Sequence, residues 1–225
     1  MLPLTKDRPK CMIQLNDEET ILSLQLKKLV SCGIKDIIIT TGYESDKLVT
    51  YATKLSSELK VSIEFVFNKL FETTNYIYSI YVAEQYLHDD ILLLHGDLFF
   101  DIYVLQKLMK TDRSSMIVSS TQPLPEKDFK AKIASGQIIS IGIDVFEDAV
   151  AAQPLYRLLR NDWEVWLHEI SKFCRAGEVT CYAENAFNQV SADSKIFPCD
   201  IRDLLCMEID NMNDYEKAKE RLYFT

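Results

Sequence analysis

Residues 2–12 form a basic segment whose side chains could bind phosphate. Lys6, Arg8 and Lys10 alternate along it, and Pro9 restricts the backbone that carries them. Closely spaced cations suit phosphate oxygens, so Arg8 and Lys10 are candidate residues for binding a phosphate-bearing ligand such as a nucleotide. A solvated basic segment would have the same composition, so this pattern alone leaves both interpretations open.

Two acidic side chains follow apolar runs that read as strands. Asp97 ends the sequence His95-Gly96-Asp97, and Asp210 ends Glu208-Ile209-Asp210. Ligands of open α/β sheets bind outside the carboxyl ends of strands, where two carboxylates from different strands could hold one Mg²⁺. We therefore expect Asp97 and Asp210 to approach each other. The alternatives are a turn role for Asp97 and a helix N-cap role for Asp210.

The second half of the chain contains both tryptophans and two tyrosines that could bind a cation. Tyr156, Trp163, Trp166 and Tyr182 could form a cage for a quaternary ammonium group, because aromatic faces attract cations. The first three are candidate substrate-binding residues on this ground. Trp166 also recurs with apolar residues at helical spacing, which favours a helix that packs into the core.

The elements that must position these residues alternate between helix and strand. Apolar periodicity predicts helices at 18–32, 44–58, 75–87, 104–110, 162–176, 182–190 and 213–222. Strands are predicted at 37–41, 61–67, 91–97, 116–120, 195–199 and 205–209, with a hairpin at 129–133 and 138–143. This order predicts an α/β fold with a layered, mostly parallel sheet flanked by helices and a small β-hairpin extension. The strand at 37–41 is expected to be parallel and central.

Composition excludes several classes of protein. A chain of 225 residues with 48% hydrophobic residues can bury a core, and we expect one domain spanning 1–225. A net charge of −9 argues against a nucleic-acid partner, and no apolar run reaches the roughly 20 residues that insertion into a membrane needs. With six scattered cysteines and no signal-peptide pattern, a cytoplasmic protein is expected. The three histidines match no hydrolase or metal-ligand motif.

Taken in order, the charged segments resemble a known superfamily. Residues 4–12, Gly42-Tyr43, residues 74–81, Gly96-Asp97 and Glu208-Ile209-Asp210 are similar to the nucleotidyltransferases that make activated sugars and alcohols. The likeness is greatest to LicC-like phosphocholine cytidylyltransferases. It implies a Rossmann-like nucleotidyltransferase fold and spans nearly the whole chain.

The resemblance also implies roles for matching residues. Lys10 would be the catalytic residue that holds phosphates during the attack, Asp97 and Asp210 would ligate Mg²⁺, and Asn75 and Ser79 would contact substrate. The implied reaction joins a nucleoside triphosphate, expected to be CTP, to a phosphorylated small alcohol such as phosphocholine, with release of pyrophosphate. A sugar-1-phosphate nucleotidyltransferase is the alternative enzyme, and a non-catalytic nucleotide-binding protein is the alternative outside enzymes.

One part of the superfamily pattern is not found in this sequence. Members carry a strand and a Gly-x-Gly-x-Arg loop just before the segment that Leu4 and Thr5 match. The chain has six glycines where average usage predicts about 16, and none of them forms that motif. Since backbone N–H groups of such a loop bind phosphates, we expect the 225-residue chain to bind CTP poorly and to show negligible turnover.

Overall fold

The computed structural model describes residues 4–223 and contains seven α-helices within that range. They are α1 (Ile21–Ser31), α2 (Ser45–Leu59), α3 (Tyr76–Val82), α4 (Ile102–Met109), α5 (Arg160–Arg175), α6 (Ala183–Val190) and α7 (Met212–Tyr223). Short 3₁₀ turns occupy Lys10–Met12 and Glu84–Tyr86. None of the helices in the described range has the length and apolar character needed to cross a bilayer.

Ten strands alternate with these helices in the described residues. They are β1 (Asp36–Thr41), β2 (Ser62–Phe67), β3 (Ile91–Leu94), β4 (Leu98–Phe100), β5 (Ser115–Ser119), β6 (Lys130–Ala134), β7 (Gln137–Gly142), β8 (Ala149–Leu158), β9 (Phe197–Asp200) and β10 (Cys206–Glu208). The predicted helices and the β6–β7 hairpin are confirmed, with shifts of a few residues at their ends. The α/β fold class is confirmed as well.

The main sheet is mixed, so the prediction of a mostly parallel sheet is wrong. The difference comes from β8, a strand that the sequence pattern did not predict and that is antiparallel to its neighbours. One edge of β8 pairs with β5, and the other pairs with β6 near its start and β3 near its end, all antiparallel. β5 and β9 are parallel to each other. The β5–β8 register shifts around Gln153 to Leu155, so the interior Pro154 sits at an irregularity, where a strand tolerates a residue without an N–H. A proline inside a run of residues argues against a central strand, so the sequence pattern around Pro154 did not indicate β8.

Two further strand pairs flank the main sheet. β1 and β2 are parallel, and β4 and β10 are antiparallel. The prediction that β1 is parallel is confirmed. The prediction that it is central is wrong for the described residues, in which β1 pairs only with β2.

Side chains alternate between two cores on either side of the main sheet. On β5, Met116 and Val118 join a cluster with α3, α5 and α6, whereas Ile117 joins a cluster with α1, α2 and α4. This period of two is what a strand covered on both faces requires. The layers therefore leave the loops at the strand ends free to carry a site.

The aromatic cage predicted at Tyr156, Trp163 and Trp166 is corrected by their burial. All three side chains are 0% exposed. The indole N–H groups of Trp163 and Trp166 donate to the carbonyls of Leu87 and Ala183, both at 2.8 Å. Rings without accessible surface offer nothing to a ligand, so the helix-core alternative holds for α5.

Candidate functional site

Lys10 lies between two carboxylates that are distant in the sequence. Its Nζ donates to Asp97 Oδ2 at 2.7 Å and to Asp210 Oδ1 at 2.6 Å, across separations of 87 and 200 positions. One ammonium group that binds both carboxylates requires them to face the same point. The predicted approach of Asp97 and Asp210 is confirmed.

Local backbone structure delivers the three side chains to this point. Lys10 begins a 3₁₀ turn that Pro9 precedes in an extended conformation, with the Met12 N–H bonded to the Pro9 carbonyl at 3.0 Å. Asp97 and Asp210 follow β3 and β10. The Ile209 N–H donates to the Asp97 carbonyl at 3.1 Å, which ties the two acidic segments together. The site is therefore fixed by backbone bonds as well as by ion pairs.

The electrostatics of Lys10 favour its charged form. Burial alone lowers the pKa of Lys10, but the charges and hydrogen bonds of Asp97 and Asp210 outweigh it, so the pKa is raised above its usual value. Opposite charges within hydrogen-bond distance act in this direction. Lys10 thus places a full positive charge between the two acids at neutral pH.

Three more titratable side chains surround this ion pair. His95, Asp97 and Glu208 present ligand atoms within 4.8 Å of one another, and so do Asp128, Glu208 and Asp210. His95 Nδ1 lies 2.9 Å from Glu208 Oε1. Burial raises the pKa of Glu208, an effect that the His95 hydrogen bond opposes, and burial followed by the charge of Asp210 raises the pKa of Asp128. Negative charge is therefore concentrated at one edge of the fold.

The donor set at this edge fits a divalent cation. Carboxylate oxygens are the ligands that Mg²⁺ takes from proteins, and Asp97 and Asp210 already share a cation in the form of the Lys10 ammonium group. Sequence reasoning did not select Asp128, because its loop between β5 and β6 carries no motif. Glu208 lies in the same sequence motif as Asp210, but the motif led to the prediction of Asp210 alone as a metal ligand.

Arg8 is placed differently from Lys10. Its Nε donates to Asp7 Oδ1 at 3.0 Å, and the side chains of Arg8 and Asp7 are 40% and 62% exposed. The hydrogen bond and charge of Asp7 raise the pKa of Arg8. The structure does not bring Arg8 into the Lys10 ion pair, and its nucleotide-binding role stays a prediction.

Asn75 and Ser79 organise the start of α3. Asn75 Oδ1 accepts the N–H of Tyr76 at 2.7 Å, and Ser79 Oγ accepts from Asn68 Nδ2 at 3.1 Å. Asn68 is 2% exposed and also donates to Thr74. Sequence reasoning missed Asn68, which holds the loop between β2 and α3 together. Substrate contact by Asn75 and Ser79 stays a prediction.

A group of four rings lies beside the acidic edge. Tyr76 and His95 meet edge to face with centroids 4.6 Å apart, Phe129 lies 6.3 Å from His95, and Tyr182 lies 5.3 Å from Phe129. We call Tyr76, His95, Phe129 and Tyr182 the ring group. Only Tyr182 belonged to the cage predicted from sequence. The bond between His95 and Glu208 joins the ring group to the carboxylates.

Comparison with known proteins agrees with this architecture. The model of the family described as a domain of unknown function, DUF6564, matches residues 6–133. A CTP:phosphoglutamine cytidylyltransferase of Campylobacter jejuni is 26% identical over 159 residues, which are 63% of this chain and 60% of that protein. The match therefore spans less than two thirds of that relative's length.

Two solved structures share the fold. The CTP:phosphocholine cytidylyltransferase of Streptococcus pneumoniae superposes with a TM-score of 0.77 at 20% identity, covering 99% of this chain and 93% of that one. A UDP-glucose pyrophosphorylase complexed with UDP-glucose also gives 0.77, at 14% identity, covering 100% and 94%. These matches show that the chain shares the fold of both proteins, which is the fold that the resemblance implied.

Proposed function

We propose that this chain, which belongs to the DUF6564 family, is a cytidylyltransferase that joins CTP to a phosphorylated small alcohol such as phosphocholine. The observation that carries the proposal is the Lys10 ammonium group held between Asp97 and Asp210 at the edge of an α/β fold. Similarity to a CTP:phosphoglutamine cytidylyltransferase supports the choice of nucleotide.

The proposed reaction is nucleotidyl transfer in line. An oxygen of the acceptor phosphate forms a bond to the α-phosphorus of CTP, the bond from that phosphorus to the β-phosphate bridging oxygen breaks, and pyrophosphate leaves. Lys10 supplies positive charge to phosphate oxygens as negative charge gathers on them. The fixed geometry of residues 9–12 orients that charge before the substrates bind.

Asp97 and Asp210 are proposed to hold Mg²⁺, with Glu208 and Asp128 close enough to adjust its surroundings. The ion would offset charge on the triphosphate and the leaving pyrophosphate. The acids provide oxygen ligands only, which is the chemistry that this cation prefers.

The ring group is proposed to receive the acceptor headgroup. Tyr182 is 36% exposed and Tyr76 is half-buried, so both have surface available. Aromatic faces attract a quaternary ammonium group, and the neighbouring carboxylates give the region a negative potential. This position moves the cage away from α5, where the tryptophans are sealed in the core.

We also propose that the sheet accepts one more strand between β1 and β3, and that residues 1–225 form one domain around it. Within the described residues β1 pairs only with β2, and β3 pairs only with β8, so each has a free edge. Ile37 and Ile39 of β1 and Leu92 and Leu94 of β3 pack half-buried against the same core cluster. A strand carrying a Gly-x-Gly-x-Arg loop, as the resemblance implies, would add phosphate-binding N–H groups beside Lys10.

There are two alternatives to the proposed function. The shared fold with a UDP-glucose pyrophosphorylase favours a sugar 1-phosphate as acceptor. The second alternative is that the protein works without an additional strand and loop and is a non-catalytic nucleotide-binding relative.

The proposal is tested by following pyrophosphate release. The printed chain, and a chain extended at its N-terminus by a strand and Gly-x-Gly-x-Arg loop, are offered CTP and Mg²⁺ with phosphocholine, phosphoethanolamine, 2-aminoethylphosphonate or hexose 1-phosphates. We expect the extended chain to use CTP with an amine-bearing acceptor and the printed chain to be much slower.

Other outcomes separate the alternatives. Product only with a hexose 1-phosphate would replace the proposed acceptor by a sugar. No product from the extended chain with any acceptor, despite measurable CTP binding, would favour the non-catalytic relative. DNA upstream of Met1 that encodes, in the same reading frame, a strand and a glycine-rich loop would support the enzyme.

A further inference from the structure

Two charged side chains in the described residues are almost fully buried, Lys130 at 0% and Glu184 at 1% exposure. Lys130 has an evident structural role, because its Nζ donates to the carbonyls of Pro125 and Asp128 at 2.6 and 3.0 Å and shapes that loop. Glu184 lies in the first turn of α6 and takes no part in the proposed reaction. Burial of a carboxyl group lowers the stability of the fold unless hydrogen bonds satisfy its oxygens, so Glu184 depends on its hydrogen-bond partners.

Two tyrosines from different elements donate to Glu184. Tyr156 of β8 donates its O–H to Oε1 at 2.6 Å, and Tyr76 of α3 donates its O–H to Oε2. Tyr156 is sealed in the core, whereas Tyr76 is half-buried and belongs to the ring group. Glu184 therefore reaches the proposed acceptor region through the phenol of Tyr76.

Burial and nearby charges set the pKa of Glu184. Burial raises the pKa of Glu184 to about 8, and the negative charge of Glu208 acts in the same direction. A cation at the ring group would oppose Glu208 and favour the carboxylate form. A carboxylate that accepts the Tyr76 O–H also increases electron density on that ring, which strengthens its attraction for a cation.

We infer that Glu184 is a positioning residue that sets the acceptor preference of this protein, acting through Tyr76 to favour a positively charged headgroup over a neutral one of the same shape. The inference rests on the proposed function, because it concerns the acceptor of that reaction. It assigns a role to a side chain that neither contacts the reacting phosphates nor belongs to the acidic edge.

The test compares two ligands that differ in charge alone. Phosphocholine and its carbon isostere 3,3-dimethylbutyl phosphate are titrated by calorimetry into the full chain carrying the N-terminal extension, in the presence of Mg²⁺ and CMP. We expect the wild type to bind phosphocholine on the order of tenfold more tightly, the discrimination that a partly desolvated cation–π contact supplies. In Glu184→Gln this preference falls to about twofold or less, while the isostere binds as before.

Three variants control for a purely structural effect. Tyr76→Phe keeps the ring but removes its O–H, and should lose part of the preference without a change in the core volume. Tyr156→Phe removes the other donor and should retain most of the preference. Glu178→Gln removes one negative charge from an exposed position near α6 and should bind both ligands as the wild type does.

The outcomes distinguish this inference from the proposed function. Unchanged preference in both Glu184→Gln and Tyr76→Phe would overturn the inference, and so would a wild type that binds the two ligands equally or binds neither. Pyrophosphate release is measured separately. A protein that discriminates by charge through Glu184 but forms no product would retain the inference about binding and lose the proposed reaction.

Discussion

The acidic edge and the aromatic core under α5 assemble their side chains in opposite ways. At the edge, Lys10 joins Asp97 and Asp210 from segments far apart in the chain, and all three side chains keep some exposure to solvent. In the core, Trp163 and Trp166 come from one helix, stack edge to face at 5.4 Å and have no exposure. Helical spacing of large rings thus indicates burial, whereas charges brought together from distant segments indicate a site.

The largest expected effect is on the core. Trp166→Ala removes a ring packed against Tyr156 and Phe187, and should lower the free energy of unfolding by about 3–5 kcal/mol, measured by urea denaturation. His168→Ala, on the exposed face of the same helix, should change it by less than about 0.5 kcal/mol. A Trp166 variant of normal stability with a raised KM for phosphocholine would return this ring to the acceptor site.

The next effect concerns the edge and appears in activity. Lys10→Met should lower kcat/KM for pyrophosphate release by about 10²–10³-fold, because it removes the charge that offsets phosphate oxygens. Lys54→Met removes an equal charge from an exposed position of α2 and should leave the rate unchanged. Equal rates for wild type and Lys10→Met would exclude Lys10 from catalysis.

A metal-binding test sharpens the same contrast. Without Lys10, Asp97 and Asp210 face each other uncompensated, so Mg²⁺ should raise the melting temperature of Lys10→Met more than that of the wild type. At a concentration 100 times its Kd the ion would add about 2.7 kcal/mol to the stability of the variant. Adding Asp210→Asn to Lys10→Met should abolish the shift. A shift that persists in this double variant would place the metal elsewhere.

The smallest effect distinguishes scaffold from substrate contact at the start of α3. Ser79→Ala removes one acceptor of the buried Asn68 amide and should cost about 1 kcal/mol in the free energy of unfolding. If Ser79 acts only through that bond, the KM values for CTP and acceptor should not change. A raised KM with unchanged stability would instead confirm the substrate contact that the resemblance implied.

The sequence was informative wherever a local pattern decides the structure. Apolar periodicity located the helices, and the turn around Gly136 located the β6–β7 hairpin. The motifs ending in Asp97 and Asp210, together with Lys10, identified the three side chains that meet at the acidic edge. These predictions succeeded because each depends on residues adjacent in the chain or on the rule that strand ends share an edge.

Tertiary structure alone decided the rest. β8 carries Pro154 and small residues, and it forms a central strand because its neighbours supply partners along both of its edges. Asp128 and Asn68 come from loops whose course no periodicity specifies. Tyr156, Trp163 and Trp166 lie in a sealed core, whereas Tyr182 keeps exposed surface in the ring group. Side-chain accessibility follows from the contacts of the folded chain rather than from residue type.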